Sequence, residues 1–310
     1  MLTGFTTVAG QVLTLFLLMS IGYTLKKMKY LSRETVSEMT RLLLYVVTPC
    51  LIVDATQIPR TSENLRGMGL AALGAAIYFA IAIFGYRFFF RKTPPDTRVT
   101  LQFGSIYTNS GFMGIPLARA VLGDEAGLFA VVFLVMMAVI HWTHGAKLMD
   151  KDGRFSLKNA FINPGTIGFL AGIILFALDF RVPYPVGNAL RFTADLNTPL
   201  AMIIIGSMMA EAELLTLFRI RELYVVAALK LLLFPALATA ALILLPLEFP
   251  PIIFCTAVIL SATPTAGVTA MFAQRYERDT VAASRCVSFL TLLSVVTLPL
   301  FAAAAKRFGG

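Results

Sequence analysis

Charged side chains are scarce in this 310-residue chain: 17 acidic and 26 basic residues make up 14% of it, against about 25% in an ordinary soluble domain. That deficit excludes a water-soluble enzyme and a disordered tail. Cysteine is rarer still. Cys50, Cys255 and Cys286 show no Cys-x-x-Cys spacing and all fall in apolar stretches, so neither a disulfide framework nor a zinc site is expected, and packing is. His141 and His144 share one helical face, but no further ligands lie near them; metal binding is not expected, and packing or interfacial roles are. A phosphate-cradling Gly-rich loop is missing, which argues against an ATP-driven pump in this chain, and no cofactor is implied. No basic residue precedes the first apolar run and no small-residue cleavage site follows it, so a removed signal peptide is not expected.

Apolar length is what the chain has in excess. It is 58% hydrophobic, with mean hydropathy +0.80. Ten mostly apolar runs, at about 5–25, 35–57, 67–90, 97–122, 125–147, 164–179, 186–210, 222–246, 250–272 and 279–305, can each span a bilayer core of roughly 30 Å. The expected fold is an all-α polytopic membrane protein with ten transmembrane helices. The net charge of +9 then reports topology, not nucleic acid. With the termini outside, the inside segments hold 18 Lys and Arg, the outside segments 7, and Lys230 lies within a span. Lys and Arg collect on the cytoplasmic side, so both termini are expected to be periplasmic, in the cell (inner) membrane.

A polar segment near the midpoint divides the chain into 1–147, a cytoplasmic linker 148–163 and 164–310. Five spans per half is an odd number, so the second half enters the membrane inverted. Local matches support the repeat. Thr48-Pro49 in the second span corresponds to Thr198-Pro199 in the seventh. Asn109-Ser110-Gly111-Phe112-Met113-Gly114-Ile115-Pro116 interrupts the fourth, and Thr263-Pro264-Thr265-Ala266-Gly267 the ninth. Paired interruptions in two halves mark inverted-repeat secondary transporters.

The interruptions also concentrate the candidate chemistry. Pro116 and Pro264 would free the carbonyls of Phe112 and Leu260, and Gly111, Gly114 and Gly267 would loosen the backbone; with Pro49 and Pro199 these are the candidate hinges. Freed groups need a wet cavity or protein around them, and half-helix N-termini suit an anion. Candidate substrate contacts are Asn109, Ser110, Gly111, Thr263, Pro264 and Thr265, with Asn197 and Thr198 facing the same cavity. Asn offers two donors and an acceptor to a carboxylate. For hydroxyls the competing reading is a bond back to a helix carbonyl, which is favoured for Ser261. Lys230 either attracts an anion or alternates between charged and neutral forms, or else snorkels to the interface. Asp54 and Asp195 are coupling candidates, with an interfacial, solvated carboxylate as the favoured reading.

These residues, Thr48-Pro49 with Asp54, the run Asn109–Leu117 and Thr263-Pro264-Thr265-Ala266, make the chain resemble the auxin efflux carrier family across essentially all ten spans. The resemblance implies crossing broken fourth and ninth helices, a scaffold of spans 1, 2, 6 and 7, and a mobile transport domain of spans 3–5 and 8–10. It also implies Asn109 as a substrate contact and a homodimer through the scaffold. The family fold is shared with bile-acid and sodium/proton transporters. Plant auxin carriers offer an Asn at the ninth-helix break, where this chain has Thr263-Pro264-Thr265, and many carry a long midpoint loop. A bacterial carrier of a mono- or dicarboxylate such as malate or malonate is the closer match.

The expected function is thus secondary active transport of a small organic anion by elevator-like motion, coupled to a proton through Lys230 or Asp54. An auxin-like aromatic carboxylate exporter and a sodium-coupled carrier are the alternatives, and a passive channel is a third. The rival from another class is an intramembrane serine hydrolase using Ser110 with His141 or His144. Position 108 is Thr where a Gly-x-Ser pattern needs Gly, and the expected depths of Ser110 and His144 in the membrane disagree.

Overall fold

The computed structural model describes residues 2–152, 164–211 and 214–309, so most of the expected linker 148–163 lies outside the described residues. Among the described residues the chain is helical, without β-strands; an isolated antiparallel bridge joins Thr108 to Thr265. The framing elements are α1 (Leu2–Lys27), α2 (Arg33–Ala55), α3 (Ser62–Phe88), α4 (Pro95–Ile106), α5 (Ser110–Leu122) and α6 (Ala126–Met149). They continue with α7 (Pro164–Ala177), α8 (Tyr184–Glu211), α9 (Arg221–Leu244), α10 (Pro251–Ala262), α11 (Val268–Arg275) and α12 (Thr280–Gly309). Seven of them, α1, α2, α3, α6, α8, α9 and α12, are long and apolar enough to cross a bilayer. The apolar runs 97–122 and 250–272 do not form continuous helices. Each is divided into two shorter ones, α4 and α5 in the first, α10 and α11 in the second.

Local chemistry accounts for most boundaries. Ser32 Oγ accepts from Thr35 N–H at 3.0 Å and caps α2, and Thr61 Oγ1 accepts from Asn64 N–H at 3.0 Å and caps α3. Pro95 and Pro251 open α4 and α10, where a missing N–H costs nothing. Prolines further along act differently. Pro49, Pro116 and Pro235 each follow a π-helical segment, Leu43–Val47, Ser110–Gly114 and Ala228–Leu233. A helical proline cannot donate to the carbonyl four residues back and its ring pushes that carbonyl away, so the preceding turn widens. In α8 the helix is interrupted at Leu196, three residues before Pro199.

Packing follows membrane rules, in which close backbone approach replaces the hydrophobic drive. A Cβ on Gly22 of α1 would overlap the Ile203 carbonyl of α8, and one on Gly206 of α8 would overlap the Met19 carbonyl of α1. The pair α2 and α7 meets the same way: a Cβ on Gly168 would lie 2.8 Å from Pro49 Cα, and one on Gly172 2.7 Å from Thr56 Oγ1. Leu13, Leu17 and Ile21 form an exposed apolar stripe along α1, as do Ile167, Leu170 and Ile174 along α7. Such stripes suit lipid. The buried aromatics Tyr78, Phe79, Phe103, Tyr107 and Phe133 fill the centre beneath the two interruptions.

Candidate functional site

α4 stops at Ile106 and α10 at Ala262 because the next residues leave helical backbone, Tyr107 at φ −87° and ψ 125° and Thr263 at φ −63° and ψ 149°. The two departures face each other. Asn109 N–H donates to the Pro264 carbonyl at 2.8 Å, and Ala266 N–H donates to the Tyr107 carbonyl at 3.1 Å. Of the two settings expected for freed backbone groups, protein around them or a wet cavity, these two pairs have the first. The interrupted segments satisfy each other as a short antiparallel pair.

A helix end also leaves carbonyls whose donors, four residues on, are lost. Here each of four receives a side chain. Thr265 Oγ1 donates to the Gly104 carbonyl at 2.7 Å, and Tyr78 OH to the Ile106 carbonyl at 2.9 Å. Thr263 Oγ1 donates to the Leu260 carbonyl at 2.8 Å, replacing the N–H that Pro264 lacks. Lys230 Nζ donates to the Ser261 carbonyl at 3.2 Å and to Tyr78 OH at 2.6 Å. One amine nitrogen, fully buried in the π-helical turn of α9, thus bonds the end of α10 directly and reaches the end of α4 through the Tyr78 hydroxyl. Lys230 is bonded inside the protein and does not snorkel.

The sequence candidates consequently separate. Thr263 and Thr265 are fully buried and committed to carbonyls, and Ser261 bonds back to the Val258 carbonyl at 2.8 Å, as favoured. The hydroxyls of Ser110 and Thr108 bond each other. Gly114 lets α5 close on α10, since a Cβ there would lie 3.1 Å from Leu260 Cγ, whereas Gly267 has open space. Asn109 is buried with its Nδ2 unpartnered. Asn197 Nδ2 donates to the Gly111 carbonyl at 3.3 Å and leaves Oδ1 unpartnered. Two carboxamide groups therefore retain free polar atoms at the first interruption.

Asp54 is not the solvated carboxylate that its position suggested. It is half-buried and paired with Arg119 Nη2 at 3.1 Å, whereas Asp195 is exposed. Sequence reasoning passed over Arg119, which reads as loop charge near the end of an apolar run; only the fold sets it opposite a residue 65 positions earlier. A cavity of about 330 Å³ adjoins it, lined also by Pro116, Asn197 and Thr198.

His144 Nδ1 lies 3.0 Å from Tyr107 OH, and His141 is buried against the rings of Tyr107, Trp142 and Phe272. Among the described residues no group of three His, Cys, Asp or Glu converges on a metal position. Ser110 has Thr108 and the Met137 thioether as neighbours, and no histidine is hydrogen-bonded to it.

Spanning helices, two interruptions that meet in the interior and unpartnered amides beside them define a multi-pass membrane transporter. The family model described as "Membrane transport protein" matches residues 7–158 and 152–302, and the chain belongs to that family, which comprises transporters and not enzymes. This bears out the resemblance to auxin efflux carriers. The chain is 27% identical, over 94% of its length and 93% of the relative's, to a Rhizobium meliloti protein named "Putative malonate transporter". It is 28% identical, over 94% of its length and 96% of the relative's, to an "Uncharacterized transporter" of Methanothermobacter thermautotrophicus.

Proposed function

We propose that this protein is a secondary active carrier of a small organic carboxylate, a mono- or dicarboxylate such as malonate or malate. The observation that carries the reading is the meeting of the two interrupted helices around Asn109, whose buried Nδ2 has no partner among the described residues. A buried donor left unpaired is costly, and a carboxylate oxygen would satisfy it without a permanent charge at the site. The name of the Rhizobium meliloti relative supports the substrate class.

The architecture we assign is ten spans in a 5+5 inverted repeat, with α4–α5 and α10–α11 as the fourth and ninth. Helix pairing supports it. The first span packs on the seventh (α1 on α8) and the sixth on the second (α7 on α2), pairs that exchange when the halves are swapped. These four spans form the scaffold, and the remainder forms a transport domain that moves as an elevator to expose the site to each side. The protein lies in the inner membrane with both termini periplasmic, its scaffold joining a second copy in a homodimer. Coupling is to a proton. Lys230 is the group we favour over Asp54, because its ammonium holds both interruptions together and its deprotonation would loosen them.

Counterflow in proteoliposomes tests the reading, with labelled malonate, malate, acetate and an auxin against preloaded unlabelled anions. The expected result is saturable exchange of a small carboxylate, abolished by Asn109→Ala and independent of sodium. Exchange of the auxin alone, or exchange that needs sodium, would replace this reading with the corresponding carrier. Flux without counterflow would make the protein a channel. Lys230→Met with unaltered pH dependence of exchange would remove the proton role from Lys230.

A further inference from the structure

The ion pair between Asp54 and Arg119 lies away from the helix interruptions and has no part in holding them. Arg119 is nine residues beyond Ser110, which is about 14 Å further along the helix. It borders the cavity of about 330 Å³, whose polar lining includes Gln11 and Thr14 from α1 and Asn197 and Thr198 from α8. That volume is at the small end of the ligand-pocket range, suited to a small acid and a few waters. Two carboxylates also border it. Asp124 has Arg191 Nη2 at 3.9 Å, and Asp195 is exposed at the rim.

The guanidinium is held but underused. Of its five N–H groups, a single hydrogen bond, from Nη2 to Asp54 Oδ2 at 3.1 Å, is made among the described residues. Its Nε is buried and unpartnered. The group lies flat against α6 because residue 127 is glycine: a Cβ there would sit 2.5 Å from Nε and 3.0 Å from Nη2. A guanidinium bound to one carboxylate oxygen retains capacity for the two-point grip it makes with carboxylates. The two partners also belong to different proposed domains, Asp54 to the scaffold and Arg119 to the transport domain. Asn197, from the scaffold, lines the same cavity and donates to the Gly111 carbonyl of the transport domain.

We infer that Arg119 is a carboxylate-capture group in this cavity, and that Asp54 is its resident partner, displaced when a substrate carboxylate takes the guanidinium. The inference rests on the carboxylate-carrier reading and extends it. No bond is made or broken covalently; one carboxylate replaces another on Arg119. The replacement also undoes a fastening between the two domains at the moment the site fills, which ties substrate arrival to release of the transport domain.

The test uses the purified full-length chain, with malonate and acetate as probes, and reads affinity by titration calorimetry and exchange by counterflow. Asp54→Asn removes the competitor and should tighten malonate binding several-fold. Arg119→Gln should weaken it by at least about tenfold, the worth of a charge-assisted hydrogen bond. The double variant Arg119→Gln with Asp54→Asn orphans no charge, so it should match the wild type in thermal unfolding while binding as weakly as Arg119→Gln. Wild-type malonate affinity in the double variant would overturn the capture role while leaving the carrier reading intact. Weaker binding in Asp54→Asn would overturn the displacement. A wild-type chain that neither binds nor exchanges any carboxylate would overturn the carrier reading and this inference together.

Discussion

Asn109 and Thr265 sit within the same interruption and have opposite occupations. Thr265 Oγ1 supplies the hydrogen bond that the Gly104 carbonyl lost when α4 ended, whereas Asn109 Nδ2 bonds to nothing among the described residues. Thr265→Val should therefore lower stability by about 1 kcal/mol, seen as a lower thermal midpoint in detergent, and leave the KM for exchange unchanged. Asn109→Ala should abolish exchange with the thermal midpoint at or above the wild-type value. Lys230 combines the two kinds of role. Its removal as Lys230→Met orphans the Ser261 carbonyl and a Tyr78 hydroxyl contact, at a cost of about 1–3 kcal/mol for a buried acceptor. Tyr78→Phe, which removes both the donor of the Ile106 carbonyl and an acceptor of the buried Lys230 Nζ, should fall at the high end of that range by the same measurement. Which residues were candidates was legible in the sequence, because polar side chains inside apolar runs stand out. Their assignment to backbone or to ligand was not, because it depends on which carbonyls a helix end leaves open across the molecule.

At the scale of elements, glycine separates close packing from mere flexibility. Gly206→Ala places a methyl group against the Met19 carbonyl, so α1 and α8 must separate, and the purified protein should lose several degrees of thermal midpoint. Gly10→Ala and Gly69→Ala, with open space around them, should be neutral or slightly stabilising, since Ala is the better helix former. The helix interruptions belong to this scale too. Proline and glycine announced them in the sequence at Asn109–Pro116 and Thr263–Gly267; the helical path leaves off at 263–267 as expected, but at 107–109 in the first case, just before the expected segment, whose residues 110–116 are helical. What composition could not convey was that the two breaks pair with each other. Proline marks where a donor is missing, and its neighbours in sequence say nothing about which distant strand of backbone makes up the deficit.

For the whole molecule, the proposed topology and domain motion each have a direct reading. An introduced cysteine at Asp124 should react with an impermeant maleimide in intact spheroplasts, and one at Lys92 only after permeabilisation. Background should be low, since Cys255 and Cys286 are buried and Cys50 is half-buried. A short bifunctional reagent joining cysteines at 124 and 191, which replace an ion pair between the proposed domains, should arrest exchange. The same reagent joining cysteines at 96 and 278, an ion pair within the proposed transport domain, should leave exchange running. The sequence by itself determined that this chain lives in a bilayer, roughly where its helices falter and which family it belongs to. All of these are carried by hydrophobic length and local backbone chemistry, which act over a few neighbouring residues. Tertiary structure alone decided that Thr265 and Lys230 hold the interruptions together, that Asn109 is left free, and that Arg119 stands against Asp54 at the edge of a cavity. Those outcomes depend on contacts between residues 30 to 160 positions apart, and only the packed chain brings them within hydrogen-bonding reach.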